Sequence, residues 1–520
     1  MPEVSQGSSR LATLGFIAES LWDSRSLASI RICVRCSEDG RTPLNKYKTI
    51  EACPIRAFTS VKRGVNESGT ARLALIALLV FPVHALAGTG PGEDWPQFLG
   101  PHANGTSTET GLLDKWPTNG PPLVWEKKIG TGYSSPSVRG DSLVLHHRMG
   151  DEEVIECFES ATGKPIWRYA YPSHFIDPYG YNNGPRGTPL LTDNCCYTFG
   201  AEGRLVCLDL SSGKRIWQRD TGVDFNVPTA FFGVGSSPIL EAGGLLVMVG
   251  GQPNSGMVAF DPKTGKTLWE SVGGKNWEGQ PMAGWPGERK VKWQTWEKQA
   301  SYATPVPCTI HGQRQVLCLM RQGLVSLNPT NGEVNFSFWF RSPANDSVNA
   351  MNPVVADDSI LISGAYYKVG SVLLKVKPDG KEVAEVWRST VLEVHWTTPI
   401  CQNGFLYAFS GRNEPDASFR CVELKSGKLM WERDERWRPH STDTPPVYGR
   451  GSSIMAEGKL IVLGEGGLLG LFKVNPNKAE EISRRQIPQL HYPCWAAPIL
   501  SRKRLYLRSE DRLVCLSLEK

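Results

Sequence analysis

The stretch Gly203-Arg-Leu-Val-Cys-Leu-Asp-Leu-Ser-Ser-Gly-Lys-Arg-Ile-Trp217 reads as a short apolar strand, a tight turn at Ser211, Ser212, Gly213 and Lys214, and a second strand closed by tryptophan. Close variants end at Trp167 (VIECFESATGKPIW), Trp269 (MVAFDPKTGKTLW) and Trp431 (FRCVELKSGKLMW), and looser ones at Trp339 and Trp387. Repetition at roughly 40–55 residues marks a propeller or a solenoid, because each unit must bury its apolar face against the next. Gly163, Gly213, Gly265 and Gly427 supply the positive φ that a tight hairpin requires, and side chains such as Asp209 and Asp261 are placed to bond backbone groups across the turn. These Asp and Lys residues are therefore turn formers rather than chemistry. The tryptophan is expected between neighbouring units, with its indole N–H in need of a partner.

Eight inner-strand sets follow, each opened by a small residue, usually before proline. They begin at Ser135-Pro136, Thr188-Pro189, Ser237-Pro238, Thr304-Pro305, Asn352-Pro353, Thr398-Pro399, Ser452-Ser453 and Ala497-Pro498. Proline is tolerated at the first position of a strand, where its missing N–H removes no ladder bond. Outer strands end at Trp125, Trp167, Trp217, Trp269, near Trp339, at Trp387 and Trp431, and degenerately near Ile487. The first outer strand lacks inner partners and the last inner set lacks an outer strand. The offset resolves if the strand around Trp125 completes the last unit. The expected fold is all-β: an eight-bladed propeller of four-stranded antiparallel blades, closed by its N-terminal strand, with seven blades or a split sandwich as alternatives.

Composition agrees. The 520 residues include 53 Gly and 17 Trp with only 21% charged, which suits short strands and tight turns. Residues 1–87 hold 11 Lys and Arg against 7 Asp and Glu, leaving a nearly neutral 46 against 45 beyond them. Such a body has no electrostatic footprint for nucleic acid or an anionic membrane. Of 13 cysteines, Cys157, Cys207, Cys421 and Cys515 recur at one repeat position, where other copies carry Ala259 or Ser326; this describes a small buried side chain. Cys33-x-x-Cys36 has no second pair.

Three segments are expected: an extension over 1–64, a secretory signal over 65–87 and the propeller over 88–520. The signal combines Lys62, Arg63 and Arg72 with the apolar run Leu73–Phe81 and a small-residue ending at Ala85-Leu-Ala87. The run is too short for a spanning helix, which needs ~20 residues, so no transmembrane anchor is expected in the mature chain. A signal normally begins a chain, so residues 1–60 read as an over-extended start, with a genuine extension as the alternative.

Short repeats ending in (S/T)-G-K-x-x-W, with an S/T-P start to the inner strand, resemble the pyrroloquinoline-quinone-type propeller repeat family over residues ~95–518. The leader Trp95-Pro-Gln-Phe-Leu-Gly-Pro101 resembles secreted members of planctomycete-like bacteria. The resemblance implies a periplasmic or secreted protein. It allows quinoprotein dehydrogenases and non-catalytic scaffolds alike, including the lipoprotein that assists outer-membrane protein assembly.

Blade order places the connections from outer to inner strands on one face, and these are long and aromatic: Tyr169–Arg186, Ser271–Gln299 and Arg433–Arg450. The Gly411–Ser418 loop joins them, while the opposite face has brief turns. Long loops on a rigid scaffold usually carry function. Residues just before each inner strand should ring the channel mouth: Tyr133, Arg186, Phe232, Tyr302, Asn349, Asn352, His395, Trp396, Arg450, His491, Tyr492 and Trp495. Stacking faces with directional donors suit a planar or polyhydroxylated ligand. In the dehydrogenases that the resemblance includes, calcium and a vicinal disulfide accompany the quinone. Adjacent Cys195-Cys196 lie inside a strand instead, and the mouth residues include no acidic cluster for a divalent cation, nor does the chain carry a zinc motif. The leading expectation is a binding or assembly scaffold without cofactor, whose partner on the loop-rich face is a protein or a small-molecule or carbohydrate ligand. The alternative is an alcohol or sugar dehydrogenase using pyrroloquinoline quinone with calcium.

Overall fold

The computed structural model describes residues 92–228, 232–278, 300–342, 348–413, 416–436 and 446–520. The extension and the signal segment lie outside them. The chain forms eight four-stranded antiparallel sheets, the expected eight blades. Blades 1 to 7 occupy residues 137–172, 190–220, 239–271, 306–339, 354–389, 400–434 and 452–486. Blade 8 takes three strands from residues 499–517 and its fourth from Leu123–Lys128. That fourth strand pairs antiparallel with Arg512–Ser517, placing Trp125 opposite Cys515 and Lys127 opposite Leu513. The ring is thus closed by hydrogen bonds between the two ends of the propeller. No helix among the described residues is long and apolar enough to cross a membrane.

The repeated tryptophan is the joint between blades. The Trp167 indole N–H donates to the Leu210 carbonyl of blade 2 at 2.7 Å, and Trp217 to Pro262 of blade 3 at 2.9 Å. Trp269, Trp387, Trp431 and Trp125 repeat the bond on blades 4, 6, 7 and 1. Each ring lies over the turn that supplies the acceptor. At Gly213, where φ is +69°, a Cβ would stand 2.6 Å from the Trp167 ring. Glycine is required there twice, for the backbone and for the indole. Asp209 and Asp261 bond the Ser211, Ser212 and Thr264 hydroxyls of their own turns, which lowers both carboxyl pKa values.

A β-bulge directly precedes each joint. Cys207 faces Trp217 but Leu208 faces Arg215, so Ile216 is the extra residue. The same shift leaves Ile166, Leu268 and Val386 unpaired. A bulge bends and twists the outer strand, which turns the tryptophan toward the next blade and spoils the edge for pairing with another chain. In blade 4 the strand does end at Trp339, but the register puts Phe336 opposite Ser326, the position tryptophan holds elsewhere. Blade 7 has Ser483 there, opposite Leu471, and the leader compensates. Trp116 is 5% exposed in the core shared with blade 8, and its backbone N–H, not its indole, donates to the Ser483 hydroxyl at 3.1 Å.

The residues before the inner-strand prolines form a second belt, around the channel. Ser135 N–H donates to the Thr188 hydroxyl, Thr188 to Ser237, Ser237 to Thr304, Thr304 to the Asn352 carboxamide and Asn352 to Thr398, at 2.8–3.4 Å. Ser135 Oγ donates to the Ala497 carbonyl of blade 8. The belt skips blade 7, which has Ser452-Ser453 in place of an S/T-P pair.

The leader closes the short-turn end of the channel. Trp95 pairs with Val138 of blade 1, the Pro96 carbonyl accepts from Leu191 of blade 2, and Gly105 and Ser107 bond Met455 of blade 7. Two carboxylates clasp it. Glu109 accepts the N–H groups of Arg502 and Lys503, and Glu457 accepts those of Gly111 and Leu112 at 2.7 and 3.1 Å. Glu109→Ala leaves both turn donors without an acceptor and is expected to cost ~2 kcal/mol in urea unfolding, with faster proteolysis of the leader.

Candidate binding face at the channel mouth

The loops that enter the inner strands deliver aromatic residues to one rim, where their rings meet. Tyr302 contacts Phe232 at 5.6 Å between centroids, Phe232 contacts Tyr181 at 6.1 Å, and Tyr181 contacts Trp495 at 6.0 Å. Trp495 also meets Tyr133 at 5.0 Å, Tyr492 at 5.6 Å and Trp396 at 5.2 Å. Trp396 continues to His395 and His395 to Tyr366. Three guanidinium groups are set into this network. Arg186 lies over Tyr133 and Phe232, Arg412 over Tyr366 and Tyr367, and Arg450 over Trp396 and Trp495 at 4.5 and 5.5 Å.

Arg450 stands where the belt fails. Its Nη2 pairs with Glu465 Oε2 at 3.0 Å, its Nη1 donates to the Arg412 carbonyl of blade 6, and Glu465 accepts the Trp495 indole N–H of the loop entering blade 8 at 3.0 Å. One buried ion pair thus joins the tops of blades 6, 7 and 8. Across the mouth Arg186 pairs with buried Asp177 at 2.8 Å. Beside it Asn182 donates to Glu510, whose carboxyl is raised mainly by burial. Arg508 is fully buried and turned onto the Ser134 and Gly130 carbonyls; burial pulls its pKa down to about 10.

Tyr133, Arg186, Phe232, Tyr302, His395, Trp396, Arg450, Tyr492 and Trp495 share this network. Three other expected mouth residues do not. Asn352 is a link of the inter-blade belt, and Asn349 donates to the Met320 and Phe340 carbonyls from a buried position. His491 is more than half exposed and pairs with Asp511 at 3.2 Å. Tyr181, Tyr366, Arg412 and Glu465 belong to the network without having been singled out. Parts of the loops over 271–299, 411–418 and 433–450 lie outside the described residues.

Asp177 and Glu465 each hold a guanidinium, and Trp396 and Trp495, tilted against each other, both lie against Arg450. Among the described residues no three His, Cys, Asp or Glu side chains gather as a metal site. Cys195 and Cys196 are free thiols within the strand Cys195–Phe199.

Burial, with the charges of Arg450 and Arg412, holds the His395 imidazole well below its usual range. Burial lowers His147 in blade 1 as well, against the opposing pull of Glu156. Both are less basic folded than unfolded, so the unfolded chain gains protons that the folded chain does not as pH falls below about 6.5. Stability is expected to be full above about pH 7 and to decline toward about pH 5, with His395→Asn flattening the slope in denaturant titrations.

The short-turn face carries a groove of about 610 Å³ between the leader and blades 1, 2 and 8, lined in part by Asp94, Arg139, Asp193 and Arg502. Its charges are mutually engaged: Arg139 pairs with Asp193 at 2.6 Å and Arg502 with Asp94 at 2.9 Å.

Eight four-stranded blades, tryptophan joints and a strand-closed ring define a propeller of the pyrroloquinoline-quinone-like class. More narrowly, the family described as outer membrane protein assembly factor BamB matches residues 117–283 and 152–433, and the chain belongs to that family. Outer membrane protein assembly factor BamB of Yersinia pestis is 20% identical over 280 residues, 52% of this chain and 60% of its own length. The chain therefore spans less than two thirds of that relative. Among solved structures, the quinohemoprotein alcohol dehydrogenase of Comamonas testosteroni is 12% identical with a TM-score of 0.57, over 84% of this chain and 82% of its own. A europium-containing methanol dehydrogenase is 13% identical with a TM-score of 0.54, over 82% and 98%. At that identity the likeness is one of fold.

Proposed function

We propose that this chain is a non-catalytic scaffold of the periplasm or cell exterior, which binds or assembles partner proteins through its loop-rich face. Membership of the BamB family supports the assembly role. The observation that carries the non-catalytic part is how fully the mouth's side chains engage one another: Arg450 sits against Trp396 and Trp495 and is bonded to Glu465. Such a hub shapes a surface and holds it rigid. The scaffold is exported by the segment 65–87, and the exported protein is expected to begin at Gly88 on N-terminal sequencing.

The competing dehydrogenase reading is separated by adding pyrroloquinoline quinone and calcium to the purified protein. No stoichiometric absorbance change and no dye-linked oxidation of alcohols or sugars are expected. A stoichiometric complex that reduces the dye overturns the proposal.

A further inference from the structure

The two most exposed large apolar side chains among the described residues are Val223 (79%) and Ile176 (74%). They stand on neighbouring loops, the first following blade 2 and the second following blade 1. Both loops close on the same turn of blade 2, between its two central strands. His174 N–H donates to the Glu202 carboxylate at 3.1 Å, and the Thr221 hydroxyl donates to the Gly203 carbonyl at 2.8 Å. Tyr179, 40% exposed and on the same loop as Ile176, contacts Phe232 of the mouth network at 5.2 Å. This apolar sector is continuous with the aromatic network of the mouth but, unlike the network's centre, faces solvent.

Its surroundings are acidic. Asp151, Glu202, Asp220 and Asp224 border it against two partly exposed guanidiniums, Arg204 and Arg219, which pair with Asp220 and Asp224. Arg148 lies buried beneath the loop that follows blade 1, is turned onto the Ser173, Phe175, Asn183 and Gly150 carbonyls, and pairs at 3.9 Å with Asp151, whose side chain is almost fully exposed. Glu202 receives the backbone N–H of His174. Apolar anchors ringed by carboxylates call for a complementary surface, because charge arrangement selects partners and orients them.

We infer that the sector over blade 2 is the docking point for a protein segment presenting aliphatic or aromatic side chains flanked by lysine or arginine. The inference rests on the loop-rich face being the binding surface and specifies where on it, and to what chemistry, binding occurs. Ile176 and Val223 are the anchors; Glu202 and Asp151 supply the charge selection.

The test uses the full chain and two short synthetic peptides, one alternating Leu and Phe with Lys, the other with Glu in place of Lys. The basic peptide is expected to bind and to weaken with added salt. The Ile176→Ser, Val223→Ser double variant, altered only at exposed positions, is expected to lose about tenfold in affinity, as for a pair of interface anchors. Equal binding by the variant, preference for the acidic peptide, or no binding of either overturns the inference. A photoreactive benzophenone side chain placed at Val223, Tyr492 or Leu268 locates the contact. Adducts at Val223 support the assignment. Adducts only at Tyr492 overturn it and leave the loop-rich face standing, and adducts only at Leu268, on an outer strand, overturn both.

Discussion

Trp217→Ala is expected to destabilise the propeller by roughly 3–5 kcal/mol, whereas Ile216→Ala, one residue away, should fall within about 0.5 kcal/mol. The two side chains differ in place rather than in apolar character. Trp217 is 9% exposed, lies over Gly265 of blade 3 and donates to the Pro262 carbonyl at 2.9 Å. Ile216 is the bulge residue and 49% exposed. Alanine at 217 removes the indole, opens a cavity between blades 2 and 3 and leaves the Pro262 carbonyl with only the Tyr197 hydroxyl as donor. In a ring the damage spreads, since each blade is held only by its two neighbours. Urea unfolding of both variants, followed by tryptophan-independent far-ultraviolet circular dichroism, checks the contrast.

Arg450→Ala should be comparably severe, at roughly 3–5 kcal/mol, because it leaves Glu465 buried without its cation. Glu465 is 1% exposed and would retain only the Trp495 indole and backbone N–H donors. The double variant Arg450→Met, Glu465→Leu removes both charges together and is expected to recover most of the loss, as buried pairs exchanged for apolar residues commonly do. The expected signature is strong non-additivity in a double-mutant cycle. Additive losses would mean that Arg450 acts through its ring contacts alone.

The fold was legible because the tryptophan repeat carries its own geometry. A turn glycine, a small residue opposite the tryptophan and an offset of one strand between the chain ends suffice to give blade number and closure. The bulges were not legible, since Ile216 and Ile166 read as ordinary strand residues until the partner register is known. Trp339 shows the cost: counting from the turn makes it the joint, while pairing gives that place to Phe336. The leader was hidden for another reason. Its contacts, such as Glu109 with Arg502 and Trp116 with Ser483, span hundreds of residues and follow no period.

At the mouth, the rule that residues just before an inner strand face the channel found Trp396, Arg450 and Trp495. It also took in Asn352, whose place before proline alongside Ser135, Thr188, Ser237, Thr304 and Thr398 is the signal of an inter-blade belt. It missed Tyr366 and Arg412 because they arrive from connections between central strands. Tyr181 lay inside the long aromatic loop, five residues short of its end at Arg186, where spacing alone gives no direction.

Amide hydrogen exchange on the intact chain tests the closed ring most directly. Residues 123–128 should be protected to the same degree as residues 512–517 and should open with them, because the two strands share one ladder. Free exchange of 123–128 beside a protected C-terminal hairpin would contradict the closed ring and everything built on it.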